Sequence, residues 1–194
     1  VKKSLGHVFD QINIEKRIKN KEKNIISLRR QYRMNEKICK LINKYFYDNN
    51  LITDESVKKS QKKYPKILND NLIVVDTASA NPFSVFQPYR YSKTNTMHAC
   101  AVRNLCIYLQ NNKIIEDVTS VGVATPYKAQ QVLLGDLMKE WSLNDVVTGT
   151  VHTYQGDQKD IMIFDIADSE GTDPSNLIKS DSKFDDNSKI LNVA

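Results

Sequence analysis

Apolar residues along the chain alternate between helical spacing and short continuous runs. The clearest amphipathic segment lies between Asn35, which suits an N-cap, and a polar stop at residues 48–50. Its apolar positions repeat at helical spacing: Ile38, Leu41, Ile42, Tyr45 and Phe46. A second such segment covers residues 94–109, and a third is predicted from the Thr125-Pro126 pair to Trp141, with Thr125 as N-cap and Pro126 at the first helical position.

Continuous apolar runs predict strands that are buried on both faces. They occupy residues 72–76, 121–124, 146–151 and 161–166, and a shorter β-prone run lies at 25–28. Buried strands that alternate with amphipathic helices predict an α/β fold with a parallel sheet covered by helices. In such sheets ligands bind at the carboxyl ends of the strands. The loops that follow the predicted strands are therefore the places to look for function.

Composition narrows the class of protein without identifying it. The 194 residues suit one domain, and a net charge of +5 suits a polyanionic partner. No apolar run approaches the roughly 20 residues that cross a bilayer, and the polar N-terminus does not resemble a signal peptide. The chain starts without Met, so we expect a piece of a longer polypeptide. Polar residues predict surface insertions at 51–70 and 169–188.

Three loop regions carry residues suited to phosphate or base contacts. Arg33 and Tyr32 lie where a strand passes into a helix, and a guanidinium with an aromatic ring beside it suits phosphate and base. Gly156 lies in a loop between two strands, where backbone N–H groups can approach a phosphate closely. Thr125 precedes a helix N-terminus, a ready anion site. Each region also has a purely structural interpretation: packing of the tyrosine on the sheet, a polar turn, and an ordinary helix cap.

Taken in order along the chain, these segments resemble superfamily 1 helicases of the senataxin and up-frameshift type. Residues 28–38, Leu-x-x-Gln-Tyr-Arg-Met-Asn-x-x-Ile, resemble motif IV together with 43–51. Residues 124–130, Ala-Thr-Pro-Tyr-x-Ala-Gln, resemble the segment ahead of motif V. Residues 149–160, Gly-Thr-Val-His-Thr-Tyr-Gln-Gly-x-x-x-Asp, resemble motif V itself, and residues 191–194 resemble the opening of motif VI. The order and spacing agree across nearly the whole chain.

The resemblance implies that residues 1–194 are a fragment of the second, C-terminal RecA-like motor domain, with motif VI truncated. The implied fold has three layers with a central, mostly parallel sheet, of the P-loop NTPase type but without a P-loop. ATP and Mg2+ would be held mainly by the N-terminal RecA-like domain of the same polypeptide. Arg33 would be the catalytic arginine finger at the γ-phosphate, and Tyr32 would stack on adenine. The implied nucleotide-binding residues are Gln31, Tyr32, Arg33, Gly156 and Gln158, and no metal ligand is implied.

The resemblance also implies a track for single-stranded nucleic acid, with DNA favoured over RNA. The implied contacts are Thr125, Tyr127, Gln130, Thr150 and His152. The isolated chain is predicted to be inactive, and its parent is predicted to be cytoplasmic in a bacterium or nuclear in a eukaryote. Gln158 replaces the Glu that is usual in the family, which keeps open the alternative of a degenerate, non-catalytic nucleic-acid scaffold. His7 and His98 fall in no catalytic spacing, and His98 is predicted to lie on a helix face.

Overall fold

The computed structural model describes residues 13–26, 28–59, 70–112, 121–154 and 156–173. In chain order, the α-helices are α1 (Ile14–Lys19), α2 (Glu36–Phe46), α3 (Glu55–Lys59), α4 (Thr96–Asn111) and α5 (Lys128–Glu140). The strands are β1 (Arg30–Gln31), β2 (Ile52–Thr53), β3 (Val85–Gln87), β4 (Ser92–Thr94), β5 (Val121–Thr125), β6 (Val147–Thr150) and β7 (Ile161–Phe164). Within these residues no helix is long and apolar enough to cross a membrane.

The central sheet is parallel, with strand order β6-β5-β7. Thr125 at the end of β5 lies opposite Thr150 at the end of β6, and Ala124 lies opposite Phe164 of β7. The carboxyl ends of the three strands therefore meet at one edge. Two small sheets accompany it: β1 pairs with β2 in parallel, and β3 pairs with β4 in antiparallel orientation. The prediction of an α/β fold with a mostly parallel sheet flanked by helices is confirmed.

The core lies between β5 and the helices α4 and α5. Val121 and Val123 are buried in β5 and pack with apolar residues of both helices. The helical members of this cluster are Ala99, Val102, Cys106, Leu134 and Met138. Burying each large aliphatic side chain stabilises the fold by roughly 1.5–3 kcal/mol, so this cluster fixes the helices on the sheet.

The opposite face of β5 is covered by an aromatic side chain. A Cβ added at Gly122 would lie 3.0 Å from Cε1 of Tyr154 and 2.7 Å from Sδ of Met162. Tyr154 belongs to a 3-10 turn, Val151–Tyr154, and its hydroxyl accepts a hydrogen bond from the Val123 N–H at 3.1 Å. A glycine at 122 is therefore what allows the tyrosine ring to lie against the strand.

The amphipathic helix predicted after Asn35 is confirmed as α2. The Asn35 side chain accepts a hydrogen bond from Lys37 N at 2.8 Å, so it is the N-cap. Asp48 and Asn49 have left-handed backbone angles just after the helix. The inward face is rotated from the predicted one, because Cys39 is buried whereas Leu41 and Tyr45 are 45% and 55% exposed.

The strand predicted at 72–76 is wrong. Ile73, Val74 and Val75 are 51%, 86% and 64% exposed, and no described strand pairs with them. Both edges of β5 are already occupied by β6 and β7. A run of apolar residues encodes a preference for burial, but it does not provide the hydrogen-bonded neighbour that a strand needs. Ile25, Ile26 and Leu28 of the β-prone run at 25–28 also lie outside a strand, because β1 begins at Arg30.

The described parts of the two predicted surface insertions contain regular structure and contacts with the rest of the domain. Residues 51–59 begin with β2, which pairs with β1, and continue into α3, where Val57 is buried. Ser169, at the start of the second insertion, hydrogen bonds through its hydroxyl to Asn95 Nδ2 at 2.9 Å. Residues 60–69 and 174–194, including the rest of both insertions and the motif VI segment, lie outside the described residues.

The helix predicted from Thr125-Pro126 begins later than expected. Thr125 is still paired with Thr150 in the sheet, and the first helical residue is Lys128, so Thr125 lies too far ahead of the helix to be its N-cap. The N-cap is Tyr127, which provides no side-chain cap. The hydroxyl of Ser92 in β4 accepts the hydrogen bond from Ala129 N instead, at 2.9 Å. The first turn of α5 thus obtains its cap from a distant strand.

Candidate functional site

The loops predicted as motifs IV and V meet in the structure. The Arg33 guanidinium donates a hydrogen bond from Nη2 to the main-chain oxygen of Asp157, 124 positions along the chain. Arg33 follows β1, and Asp157 lies between the Val151–Tyr154 turn and β7. Two segments that are remote in sequence therefore form one surface that carries an exposed guanidinium.

Gln31 shapes the first of these loops. Its side-chain oxygen accepts hydrogen bonds from Arg33 N and Met34 N, each at 2.8 Å. Its side-chain nitrogen donates to Met34 O and to Thr53 Oγ1, again at 2.8 Å. Both ends of the amide are used within the protein, so Gln31 positions Arg33 in this structure rather than offering free donors to a ligand.

Tyr32 projects beside Arg33. Its side chain is 66% exposed, although it lies between two residues of a well-bonded loop. An exposed ring next to an exposed guanidinium offers a flat apolar face and a positive charge together. That pairing suits a group with an aromatic part and an anionic part.

The second loop has an open approach at Gly156. Its φ is +87°, and a Cβ added there would meet no heavy atom within 4 Å. Since the space is open and the backbone is left-handed, a ligand can approach the main chain closely at this position. Gln158 is exposed, and its N–H donates to Asp157 Oδ1 at 2.8 Å. Residue 155 lies outside the described residues.

The carboxylate of Asp157 is held in its ionised form. Its pKa lies below the ordinary value, first because of the hydrogen bond from Gln158 N, then because of Lys159 and the charge of Arg33. Lys159 Nζ lies 3.2 Å from Asp157 Oδ2. Asp157 therefore pairs with Lys159 and lies in the field of Arg33, so it balances part of the positive charge of this surface.

The predicted nucleic-acid residues separate into exposed and buried groups. Thr150 is half-buried at the carboxyl end of β6, and His152 is exposed just after it. The side chains of Thr125, Tyr127 and Gln130 are buried, with 0%, 3% and 0% exposure. All five lie at the carboxyl edge of the sheet, in the ends of β5 and β6 or in the turns and helix that follow them. As folded here, only the first two offer side chains to solvent.

Gln130 is the centre of a buried network that sequence reasoning missed. Its side-chain oxygen accepts from Asn95 N at 2.7 Å, and its nitrogen donates to Asn95 O at 3.0 Å and Asp165 Oδ2 at 2.7 Å. Asn95 also caps α4, accepting from His98 N at 3.0 Å. Asp165 is an acidic residue directly after β7, at the end of an apolar run. This position was the sequence signal that could have indicated a buried polar contact.

Two further ionisable groups extend the network. His98 lies with Nδ1 3.1 Å from Asp165 Oδ1 and Nε2 3.0 Å from Thr77 Oγ1, so it faces the interior polar cluster. Lys93 is buried, with Nζ 2.5 Å from Asp168 Oδ1 and 5.4 Å from the centre of the Tyr127 ring. The Tyr127 hydroxyl donates to the other oxygen of Asp168. The buried charge of Lys93 is therefore paired, as a buried charge must be.

The site lacks the ligand set of a metal centre within the part of the chain that the structure describes. No group of three or more His, Cys, Asp or Glu side chains there could hold a metal ion. What the described site offers is an exposed Arg33, an exposed Tyr32 and an accessible main chain at Gly156. These groups suit a ligand that has an aromatic part and an anionic part.

A mostly parallel sheet flanked by helices, with polar loops gathered at its carboxyl edge, is the architecture of a RecA-like α/β domain. The sequence of this chain matches the AAA domain family AAA_12 over residues 9–194, and the chain belongs to that family.

The chain is also similar to segments of helicases. It is 28% identical to the DNA replication ATP-dependent helicase/nuclease DNA2 of Gallus gallus over 149 residues, 76% of this chain and 14% of that protein. It is 29% identical over 140 residues to the uncharacterized ATP-dependent helicase MJ0104 of Methanocaldococcus jannaschii, covering 69% of this chain and 20% of that protein. It is also 29% identical over 152 residues to the DNA polymerase alpha-associated DNA helicase A of Schizosaccharomyces pombe, covering 72% and 22%. The chain thus spans less than a quarter of each of these relatives, and it is a helicase-type domain.

Proposed function

We propose that this chain is the second, C-terminal RecA-like motor domain of an ATP-dependent superfamily 1 DNA helicase. In this role it contributes the arginine-finger side of the ATP site and part of the track for single-stranded DNA. The single observation that carries the proposal is the contact between Arg33 and the main chain of Asp157. It joins the motif IV loop to the motif V loop, and both motifs serve the nucleotide in the family that the sequence resembles.

The exposed surface fits a nucleoside triphosphate. Tyr32 offers a free ring face for a base, and Arg33 offers fixed donors for phosphate oxygens. Gly156 leaves its backbone open to close approach. ATP supplies the phosphoryl group whose transfer drives the motor, with Mg2+ held mainly by carboxylates of the first motor domain. A fully formed site on this proposal requires both domains.

Arg33 performs the step that belongs to this chain. Its guanidinium leaves the Asp157 oxygen and turns to the γ-phosphate side of the cleft, where it neutralises charge that develops in the transition state. Arginine fingers in related phosphoryl transfer are worth roughly 10³–10⁵ in rate. Gln31 acts as a positioning residue, because it holds the main chain of Arg33 through a hydrogen bond.

The DNA track lies along the carboxyl edge of the sheet. Thr150 and His152 contact the strand directly, whereas Thr125, Tyr127 and Gln130 shape the loop above it from their buried positions. Backbone contacts of this kind hold a strand without reading its sequence. DNA is preferred to RNA because two of the named relatives are described as DNA helicases or DNA replication enzymes.

The arginine is tested by Arg33→Ala in the full-length helicase that contains this domain. We expect ATP binding to persist while turnover stimulated by single-stranded DNA falls by about 10³-fold or more. Arg17→Ala is the matched control, since Arg17 is a surface arginine paired with Glu22 at 2.8 Å. Turnover that is equal in the Arg33 and Arg17 variants would refute the finger.

The isolated chain provides a second test. Because it supplies one wall of the ATP site, the purified 194-residue chain is expected to hydrolyse no ATP with or without DNA. If the purified chain hydrolysed ATP and its Arg33→Ala variant did not, the two-domain assignment would be contradicted.

A further inference from the structure

The hairpin formed by β3 and β4 carries two unusually exposed tyrosines at its tip. Tyr89 is 101% exposed and Tyr91 is 89% exposed, and no large apolar or aromatic side chain of the described residues is more exposed than these two. The four-residue connection is closed by a hydrogen bond from Tyr91 N to Pro88 O at 3.3 Å. Neither ring contributes to the core, so folding alone does not account for them.

The tip is held in a defined conformation. Tyr91 has a φ of +45°, a left-handed backbone that is costly for a bulky residue. Such strain persists only where the surroundings enforce it, and it is found preferentially at functional positions. Pro88 fixes the other side of the turn, because its ring restricts φ. The two rings are therefore presented by a short, constrained turn.

The end of the hairpin next to its tip is anchored beside the carboxyl edge of the sheet, through the first two residues of β4. Ser92 caps α5 through Ala129 N, and buried Lys93 is paired with Asp168 beside the Tyr127 ring. Both anchors lie next to the loop that follows β5. The tip thus lies beside the edge that carries the proposed DNA track, and the strand residues that follow it are fixed by a helix cap and a buried ion pair.

A partner for this tip must offer flat faces to two exposed rings. Single-stranded nucleic acid offers a base face at every nucleotide, and stacking on tyrosine tolerates any base. Its phosphates also complement the net charge of +5 of the chain. A protein partner would have to bury the rings in a preformed pocket, and nothing in the hairpin besides the rings favours that.

We propose that Tyr89 and Tyr91 form a stacking platform for the bases of single-stranded nucleic acid, extending the track beyond the edge of the sheet. The proposal rests on the proposed function, since it assumes that this edge faces a single strand. It adds a contact to the bases, which the backbone contacts at Thr150 and His152 do not provide.

The test compares variants of the 194-residue chain in fluorescence anisotropy with labelled oligothymidine and with an abasic oligomer of equal length. The double variant Tyr89→Ala with Tyr91→Ala is expected to lose about tenfold in affinity for oligothymidine, which corresponds to about 1.4 kcal/mol. Its affinity for the abasic oligomer is expected to stay unchanged. The double variant Tyr89→Phe with Tyr91→Phe keeps both rings and is expected to bind oligothymidine as the unchanged chain does.

Tyr45→Ala is the matched control, because Tyr45 is a half-exposed tyrosine on α2. If the alanine pair binds oligothymidine no worse than the Tyr45 variant, the platform is refuted while the motor assignment stands. Equal losses on oligothymidine and the abasic oligomer, or a loss in the phenylalanine pair, would also overturn stacking. If the unchanged chain and its full-length parent both fail to bind either oligomer, the proposed track fails together with the platform.

Discussion

Replacing Gln130 with leucine removes three buried hydrogen bonds while keeping a side chain of similar length. The Asn95 N–H, the Asn95 carbonyl and Asp165 Oδ2 each lose a partner that lies at 2.7–3.0 Å. Gln130 is fully buried, so water does not replace these bonds. Leaving a buried polar group unsatisfied costs roughly 1–3 kcal/mol. The three together should lower the free energy of unfolding by roughly 3–5 kcal/mol, because Asp165 keeps its contact with His98.

This loss is measurable by urea unfolding followed through the fluorescence of Trp141, the single tryptophan, which is the C-cap of α5. Gln131→Leu is the matched control, because the Gln131 amide donates to Thr148 O only at 3.5 Å and accepts its other hydrogen bond, at 2.5 Å, from the exposed Lys128 Nζ. We expect the control to change the unfolding free energy by less than about 1 kcal/mol. Equal stabilities for the two variants would refute the account of the buried network.

The two variants Gln130→Leu and Gln131→Leu also distinguish a structural role of Gln130 from a direct contact between its side chain and DNA. If Gln130→Leu unfolds like the control but binds single-stranded DNA more weakly, the amide reaches the strand. In that case Gln130 does not act mainly by holding the buried network together, and the DNA contact implied by the family resemblance is correct. If stability falls and the folded fraction binds DNA unchanged, the role of Gln130 is structural.

Three further changes test other parts of the fold. Gly122→Val drives a side chain into Tyr154, and we expect urea unfolding to show a loss of roughly 1–3 kcal/mol from overpacking; unchanged stability would contradict the close contact. The pKa of Asp54 is lowered to about 2, chiefly by the hydrogen bond from the Ser56 hydroxyl. The stability that the ionised Asp54 contributes is thus present above about pH 4 and lost as the pH falls towards 2. In acid titrations between these two values, the Asp54→Asn variant should therefore lose less stability than the unchanged chain. Burial raises the pKa of the Cys106 thiol to about 12, so mass spectrometry after alkylation at mildly alkaline pH should find it unmodified until urea unfolds the chain.

Local features of the fold were predictable from the sequence. The helix α2 and its Asn35 cap follow from apolar spacing and a capping side chain within a few residues. The strands β5, β6 and β7 follow from short apolar runs next to turn residues. Each of these signals is contained in one segment, so no knowledge of the rest of the chain is needed.

Features that join distant segments were not predictable in the same way. The cap of α5 comes from Ser92, and Gln130 pairs with Asn95, so both bonds depend on how β4 docks. The apolar run at 72–76 resembled a buried strand, but no described strand is adjacent to it. For the candidate site, the resemblance identified Arg33 as a motif residue, whereas its bond to Asp157 emerged only from the fold.

The cap that Ser92 provides to the first turn of α5 has a consequence for the order of folding. Ser92 lies 37 positions before Ala129, and Asn95 lies 35 positions before Gln130, with all of α4 between the partners. Closing so long a loop costs chain entropy before either bond can form. The start of α5 is therefore completed only after β4 has docked, and this part of the domain belongs to the late, non-local stage of its folding.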